Sequence, residues 1–156
     1  SKLDFTKTLK STMMRNRFYT HPTDDIIVEV EHMFNVCNGI VNVGVEELHQ
    51  VISGSVNTII LVGLGSGTNR ISNAIEDAVM HTCSVAPDHN LFSAEKVILK
   101  LIYPQKEPLM IIEMDSITQF AEMFPSSTSF IWGISENNSE DSKVQALIIA
   151  SNVQKK

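Results

Sequence analysis

The chain has 156 residues, 43% hydrophobic and 19% charged, which is enough for one domain with a buried core. Its formal net charge of -6, with no concentrated basic stretch in the domain, argues against an electrostatic grip on nucleic acid. No apolar run approaches a membrane span, no apolar signal segment opens the chain, and Cys37 and Cys83 stand alone. A cytoplasmic protein without membrane insertion is expected.

Residues 1–23 have weak periodicity and read as an N-terminal arm. His21, Pro22 and Thr23 break the chain before a helix, with Thr23 or Asp24 as N-cap. Apolar residues at 26, 27, 30, 33, 34 and 37 recur at helical spacing. They predict a helix from Asp24 to Asn38, closed by Gly39. VEELHQVIS reads as a second, short helix. Residues 58–62 are continuously apolar, as in a strand buried on both faces. Asn69 can cap a helix running to about Thr82, with Ile71, Ile75, Ala78 and Val79 inward. A polar loop, 83–94, precedes a strand over 96–103. A helix over 114–124 follows, with Asp115 as cap and Ile117, Phe120, Ala121 and Phe124 on one face. TSFIWGIS and KVQALIIAS, around the acidic turn 136–142, read as a hairpin. This order predicts an α/β (α+β) fold, a four-stranded mixed sheet flanked by helices.

Three motifs could carry chemistry. The run VGLGSGTNR places Gly63, Gly65 and Gly67 between a strand and a helix, the outline of a phosphate loop. It lacks the lysine of a P-loop, and Thr68 stands where a dinucleotide fingerprint needs its third glycine. Residues 63–69 are therefore either a nucleotide or metabolite site or a tight strand-to-helix turn. Glu29 and His32 stand three apart on a helix, but no HExxH or repeated ligand spacing supports a metal, and none is expected. Glu46 and Glu47 open a short helix, where acids are also favoured by the helix dipole alone.

Taken in order, these segments resemble the C-terminal, GTPase-activating domain of the FtsZ/tubulin family over residues 24–152. A central-type helix runs into NGIVNVGVEEL, at the place of that family's synergy loop, G-x-I-N-x-D-x-x-D. Gly67, Thr68, Asn69 and Arg70 match its next strand-to-helix turn, and FIWG and ALIIAS match its last two strands. Residues 153–156 are then a short tail. In that family the loop enters the neighbouring subunit, and its two aspartates act on the neighbour's GTP. Here Asn42 is kept, Gly44 stands at the first aspartate and Glu47 at the second, with Glu46 turned to another side of the helix.

The resemblance thus implies an interface at Gly39, Asn42, Glu46 and Glu47 and a degenerate synergy loop at Asn42, Gly44 and Glu47. It implies a structural turn at Gly65, Gly67, Asn69 and Arg70. The family's GTP-binding half, with its glycine-rich loop, does not stand in these residues. The chain is therefore expected to have no enzymatic activity by itself and no cofactor of its own. GTP would enter only through a partner or an N-terminal domain. The expected role is an assembly module in cell-division-type filaments, with a protein partner that is FtsZ or a second copy. A fragment of a complete polymerising GTPase and a small α/β nucleotide-binding domain are the alternatives.

Overall fold

The computed structural model describes residues 16–34, 38–41, 43–138 and 140–156, with 33–34 and 38–41 described by their backbone. Cys37 and Asn42 lie outside the described residues. The larger elements are β1 (Arg17–Thr20), α1 (Asp24–Phe34), β2 (Asn38–Val41), α2 (Val45–Ile52), β3 (Asn57–Gly65) and α3 (Arg70–Met80). They continue with α4 (Thr82–Val85), β4 (His89–Asn90), β5 (Lys96–Pro104), α5 (Asp115–Ala121), β6 (Ser129–Asn137), β7 (Val144–Ser151) and β8 (Gln154–Lys155).

Six strands form one mixed sheet in the order β1-β3-β7-β5-β6-β2, and β4 pairs with β8 separately. Within the large sheet only β5 and β6 run parallel. Helix α5 makes the crossover between them, as a parallel pair requires. Alternating side chains divide the core into two layers. Ile59, Leu61, Val97, Leu99, Leu101 and Ile148 face α3 and α5. Ile60, Ile98, Ile102, Leu147 and Ile149 face α1 and α2. The central strands are apolar on both faces because both faces are covered. Under α5, Phe92, Phe120, Phe124 and Phe130 form an aromatic cluster, with Phe120 and Phe124 edge to face at 5.2 Å.

The mixed class holds, and three details of the sequence reading are corrected. The sheet has six strands rather than four. Both additional strands are four-residue edges, β1 within the expected arm and β2 at the expected end of α1. Helix α1 is assigned to Phe34, and Gly39 pairs with Ser135 in β2. The expected hairpin is absent: β5 lies between β6 and β7. Strand β5 buries Val97, Ile98, Leu99, Leu101, Ile102 and Tyr103. Only a central position covers both its faces and satisfies both its ladder edges. The 138–143 segment then spans two strand spacings, about 10 Å.

The two ends of β3 are fixed differently. At its start, Ser55, Thr58 and Ser151 form a buried hydroxyl chain of 2.9 and 2.8 Å. The Asn57 side chain holds both the carbonyl and the N–H of Val153. Those bonds anchor the segment expected as a tail, where Val153 is buried.

Candidate functional site

The first candidate region is the start of α2. Its apolar positions Leu48, Val51 and Ile52 are buried against the sheet, and Val43 enters the same core. This spacing turns Glu46, His49 and Gln50 outward. Gly44 is the N-cap, with extended backbone (φ −87°, ψ 175°) and its carbonyl accepting from Leu48 N–H. At the other end of α2, the Lys96 ammonium donates to the Gln50 carbonyl at 2.7 Å, a cation at the negative pole of the helix.

The two glutamates have different settings. Glu46 is exposed, beside Val45, which is also exposed. Glu47 is half-buried, and its carboxylate folds back over Gly44. The segment therefore presents one outward acid and a small apolar residue, with no carboxylate from position 44. That suits a protein contact better than a pair of acids converging on water. Gly39 lies in β2, and Asn42 lies outside the described residues, so the structure joins only Gly44, Glu46 and Glu47 of this predicted set.

The glycine-rich turn lies on the opposite face of the sheet, under α3. A Cβ on Gly63 would stand 2.2 Å from the Ala74 carbonyl oxygen and 2.3 Å from the Ala78 nitrogen. On Gly65 it would stand 2.1 Å from the Arg70 oxygen and 2.3 Å from the Ala74 nitrogen. These glycines, with Ala74 and Ala78 above them, let the α3 backbone rest directly on the strand. Gly67 has φ +83°, in the left-handed region that favours glycine. Asn69 is the N-cap of α3 without a side-chain cap bond, and its carbonyl accepts from Asn73 N–H.

Arg70 opens α3 and is nearly buried. Its Nε and Nη2 donate to the two Glu113 oxygens at 2.7 and 3.1 Å, and Nη2 also donates to the Pro108 carbonyl at 3.0 Å. Glu107 adds a looser contact at 3.5 Å. Hydrogen bonding from Arg70 outweighs burial and holds the Glu113 carboxyl below its ordinary pKa, while bonding to Glu113 raises that of Arg70. A cleft of about 210 Å³ opens here between Thr68, Asn69, Ile112 and Ser116. The guanidinium fork that would otherwise pair a phosphate is already filled by a carboxylate.

The sequence reading missed Glu113, 43 positions from its partner, because no periodic spacing links them. It also passed over Met110, Ile111 and Ile112, which are exposed beside this clamp. An apolar run just after Pro108 in a polar loop was the available signal. Among the described residues no group of three or more His, Cys, Asp or Glu side chains is placed to hold a metal, and no helix is long and apolar enough to cross a membrane.

The fold defined by this sheet, its two helical layers and the α2 and α3 entries resembles the C-terminal domain of the FtsZ/tubulin family. No family model matches the chain. It is similar to the cell division protein FtsZ of Porphyromonas gingivalis (strain ATCC BAA-308 / W83), 25% identical over 130 residues. That match covers 78% of this chain and 28% of the relative. An empty FtsZ dimer of M. jannaschii superposes with a TM-score of 0.64 at 16% identity, over 83% of this chain and 37% of the other. TubZ of Bacillus thuringiensis serovar israelensis, in GDP-form protofilaments, gives 0.57 at 9% identity, over 84% and 35%. The chain therefore spans about a third of the proteins it resembles, and that coverage fits one domain of them.

Proposed function

We propose that the chain is an FtsZ-type assembly module whose contact surface is the segment from β2 to the first turn of α2. The observation that carries this reading is the setting of Gly44, Glu46 and Glu47. The fold resembles that of a filament subunit domain, yet position 44 has no carboxylate and the Glu47 carboxylate is turned back over Gly44. In this reading Val45 and Glu46 meet the partner, which is an FtsZ subunit or a second copy, in the cytoplasm. The module does not itself hydrolyse GTP, and its contact alters filament length or turnover.

A second reading is favoured by the coverage of the relatives. With only 28% of the Porphyromonas gingivalis FtsZ matched, this segment could serve as the assembly domain of a longer polymerising GTPase. Both readings use the same surface. A nucleotide site at 63–69 is less well supported, because Gly63 and Gly65 pack under α3 and Arg70 is paired.

Sedimentation of FtsZ polymers with GTP, with and without this chain, tests the proposal. A change in pelleted mass or GTP turnover is expected. Unchanged mass, filament length and turnover at stoichiometric excess would contradict it.

A further inference from the structure

Helix α2 is held unequally at its two ends. At its C-terminal end the carbonyls that the helix cannot satisfy itself are bonded from outside. The His49 carbonyl accepts from Ser53 N–H at 2.9 Å, and the Gln50 carbonyl accepts from the Lys96 ammonium at 2.7 Å. The Ile52 carbonyl accepts from Ser55 N–H at 3.2 Å and from the Ser55 hydroxyl at 2.8 Å. At the other end Gly44 has no side chain to offer, and no side-chain cap is made among the described residues. The buried residues of the helix, Leu48, Val51 and Ile52, also lie in its second half, with Val43 entering the core ahead of it.

The Ser55 bond has a direction that extends into the sheet. A hydroxyl has one proton to give. Ser55 gives its proton to the Ile52 carbonyl, so its 2.9 Å contact with Thr58 is one in which Thr58 donates. Thr58, its proton used, accepts in turn from Ser151 at 2.8 Å. The series therefore runs from Ser151 on β7, through Thr58 on β3 and then Ser55, to the last carbonyl of α2. Ser55, Thr58 and Ser151 are all buried, and hydroxyls bonded in series away from bulk water reinforce one another. Lys96 stands at the start of β5, where its register partner on β7 is the same Ser151. One charged link and one hydroxyl series thus tie the same end of α2 to β3, β5 and β7.

We propose that Lys96, together with the Ser151, Thr58 and Ser55 series, is a positioning residue for the contact surface at the start of α2; this rests on the assembly reading above. Lys96 lies at the opposite end of the helix from Val45 and Glu46 and acts through α2. A helix of eight residues is too short to hold its own geometry, so the direction of its first turn is set by what grips its last one. Without the clamp, a smaller fraction of chains presents Val45 and Glu46 correctly. The partner then binds more weakly although every contact residue is still present.

Two measurements on the full chain test it. Hydrogen exchange on the chain alone reads the clamp. Lys96→Met should speed exchange of the α2 amides about tenfold, the loss of one charge-assisted bond, and leave the amides of β3 and β7 as they were. Lys96→Arg should keep the parent pattern, and Ser55→Ala should speed the same α2 amides, which preserves the test if Lys96→Met folds poorly. FtsZ polymer sedimentation with GTP reads the positioning. Lys96→Met should need about tenfold more chain for its half-maximal effect yet reach the parent's effect at saturation, with a melting temperature near the parent's. Lys96→Arg should recover the parent's potency. A parent chain without effect on the polymers would sink the assembly reading and the positioning role with it. A parent that acts, beside a Lys96→Met chain of equal potency or of unchanged α2 exchange, would overturn the positioning role alone.

Discussion

The Glu47 carboxylate occupies the space that a side chain on Gly44 would need. Its Oε2 lies 2.8 Å from the position of a Cβ built on Gly44, and among the described residues beyond its chain neighbours only the Glu47 Cδ is also within 4 Å. The obstacle is the end of a flexible side chain and not backbone. The extended conformation at 44 is also one in which an aspartate caps a helix well. Gly44→Asp should therefore fold, its stability within about 0.5 kcal/mol of the parent, because a small capping gain offsets repulsion from Glu47. Urea denaturation measures this. A loss several times larger would mean that the α2 entry is fixed more rigidly than the geometry indicates.

Gly63 and Gly65 are the opposite case. A methyl group on either meets α3 backbone at 2.1 to 2.3 Å, and the helix would have to lift from the sheet. Gly65→Ala should cost about 3 kcal/mol or more, at the upper end of overpacking effects. Gly67→Ala, with open space around it but φ +83°, should cost only about 1 kcal/mol. Thermal melting of the two variants side by side checks the ranking, and equal losses would contradict it.

The contrast shows what the residues disclosed on their own. Alternating apolar runs and helical spacing located β3, α3, β5 and α5, because each is long and buries a full face. The strands RFYT and NGIV were hidden by their four-residue length, and Gly39 gave a misleading helix-stop signal. The placement of β5 between β6 and β7 depends on which strand gains most from burial on two faces, a tertiary choice invisible in local turn residues. Gly65 and Gly67 were legible as a turn, but their division of labour, close approach at one and positive φ at the other, needed α3 in place. At the α2 start the acid spacing was legible, and the inward fold of Glu47 was not.

The Arg70 and Glu113 pair should make stability depend on pH. Glu113 has a folded pKa below its unfolded value, chiefly through the Arg70 hydrogen bond. Its contribution is therefore fully present above the unfolded value and is lost as pH falls through the folded one. Glu113→Gln should cost about 2 kcal/mol at pH 7, the loss of charge-assisted bonds to Arg70. The gap between parent and variant should shrink as pH drops below about 4. Denaturation curves across pH 2 to 7, about five points, would show it, and a constant gap would contradict the assignment.

Among the described residues, the buried hydroxyls Thr82 Oγ1 and Ser135 Oγ have no hydrogen-bond partner. Ser135 is fully buried next to Ile134 in β6. Removing an unsatisfied buried hydroxyl costs little, so Ser135→Ala should be neutral or stabilising by up to about 1 kcal/mol. A loss above about 1 kcal/mol in urea denaturation would show that the hydroxyl is bonded in solution.

The assembly reading turns on the exposed start of α2, and Glu46 is its most accessible charge. The decisive measurement is FtsZ polymer sedimentation with GTP in the presence of the parent chain or of Glu46→Arg, with melting curves confirming that both are folded. The account predicts that the parent changes polymer mass or GTP turnover and that Glu46→Arg loses most of that effect without loss of stability. An effect of equal size from both chains, or none from either, would contradict it.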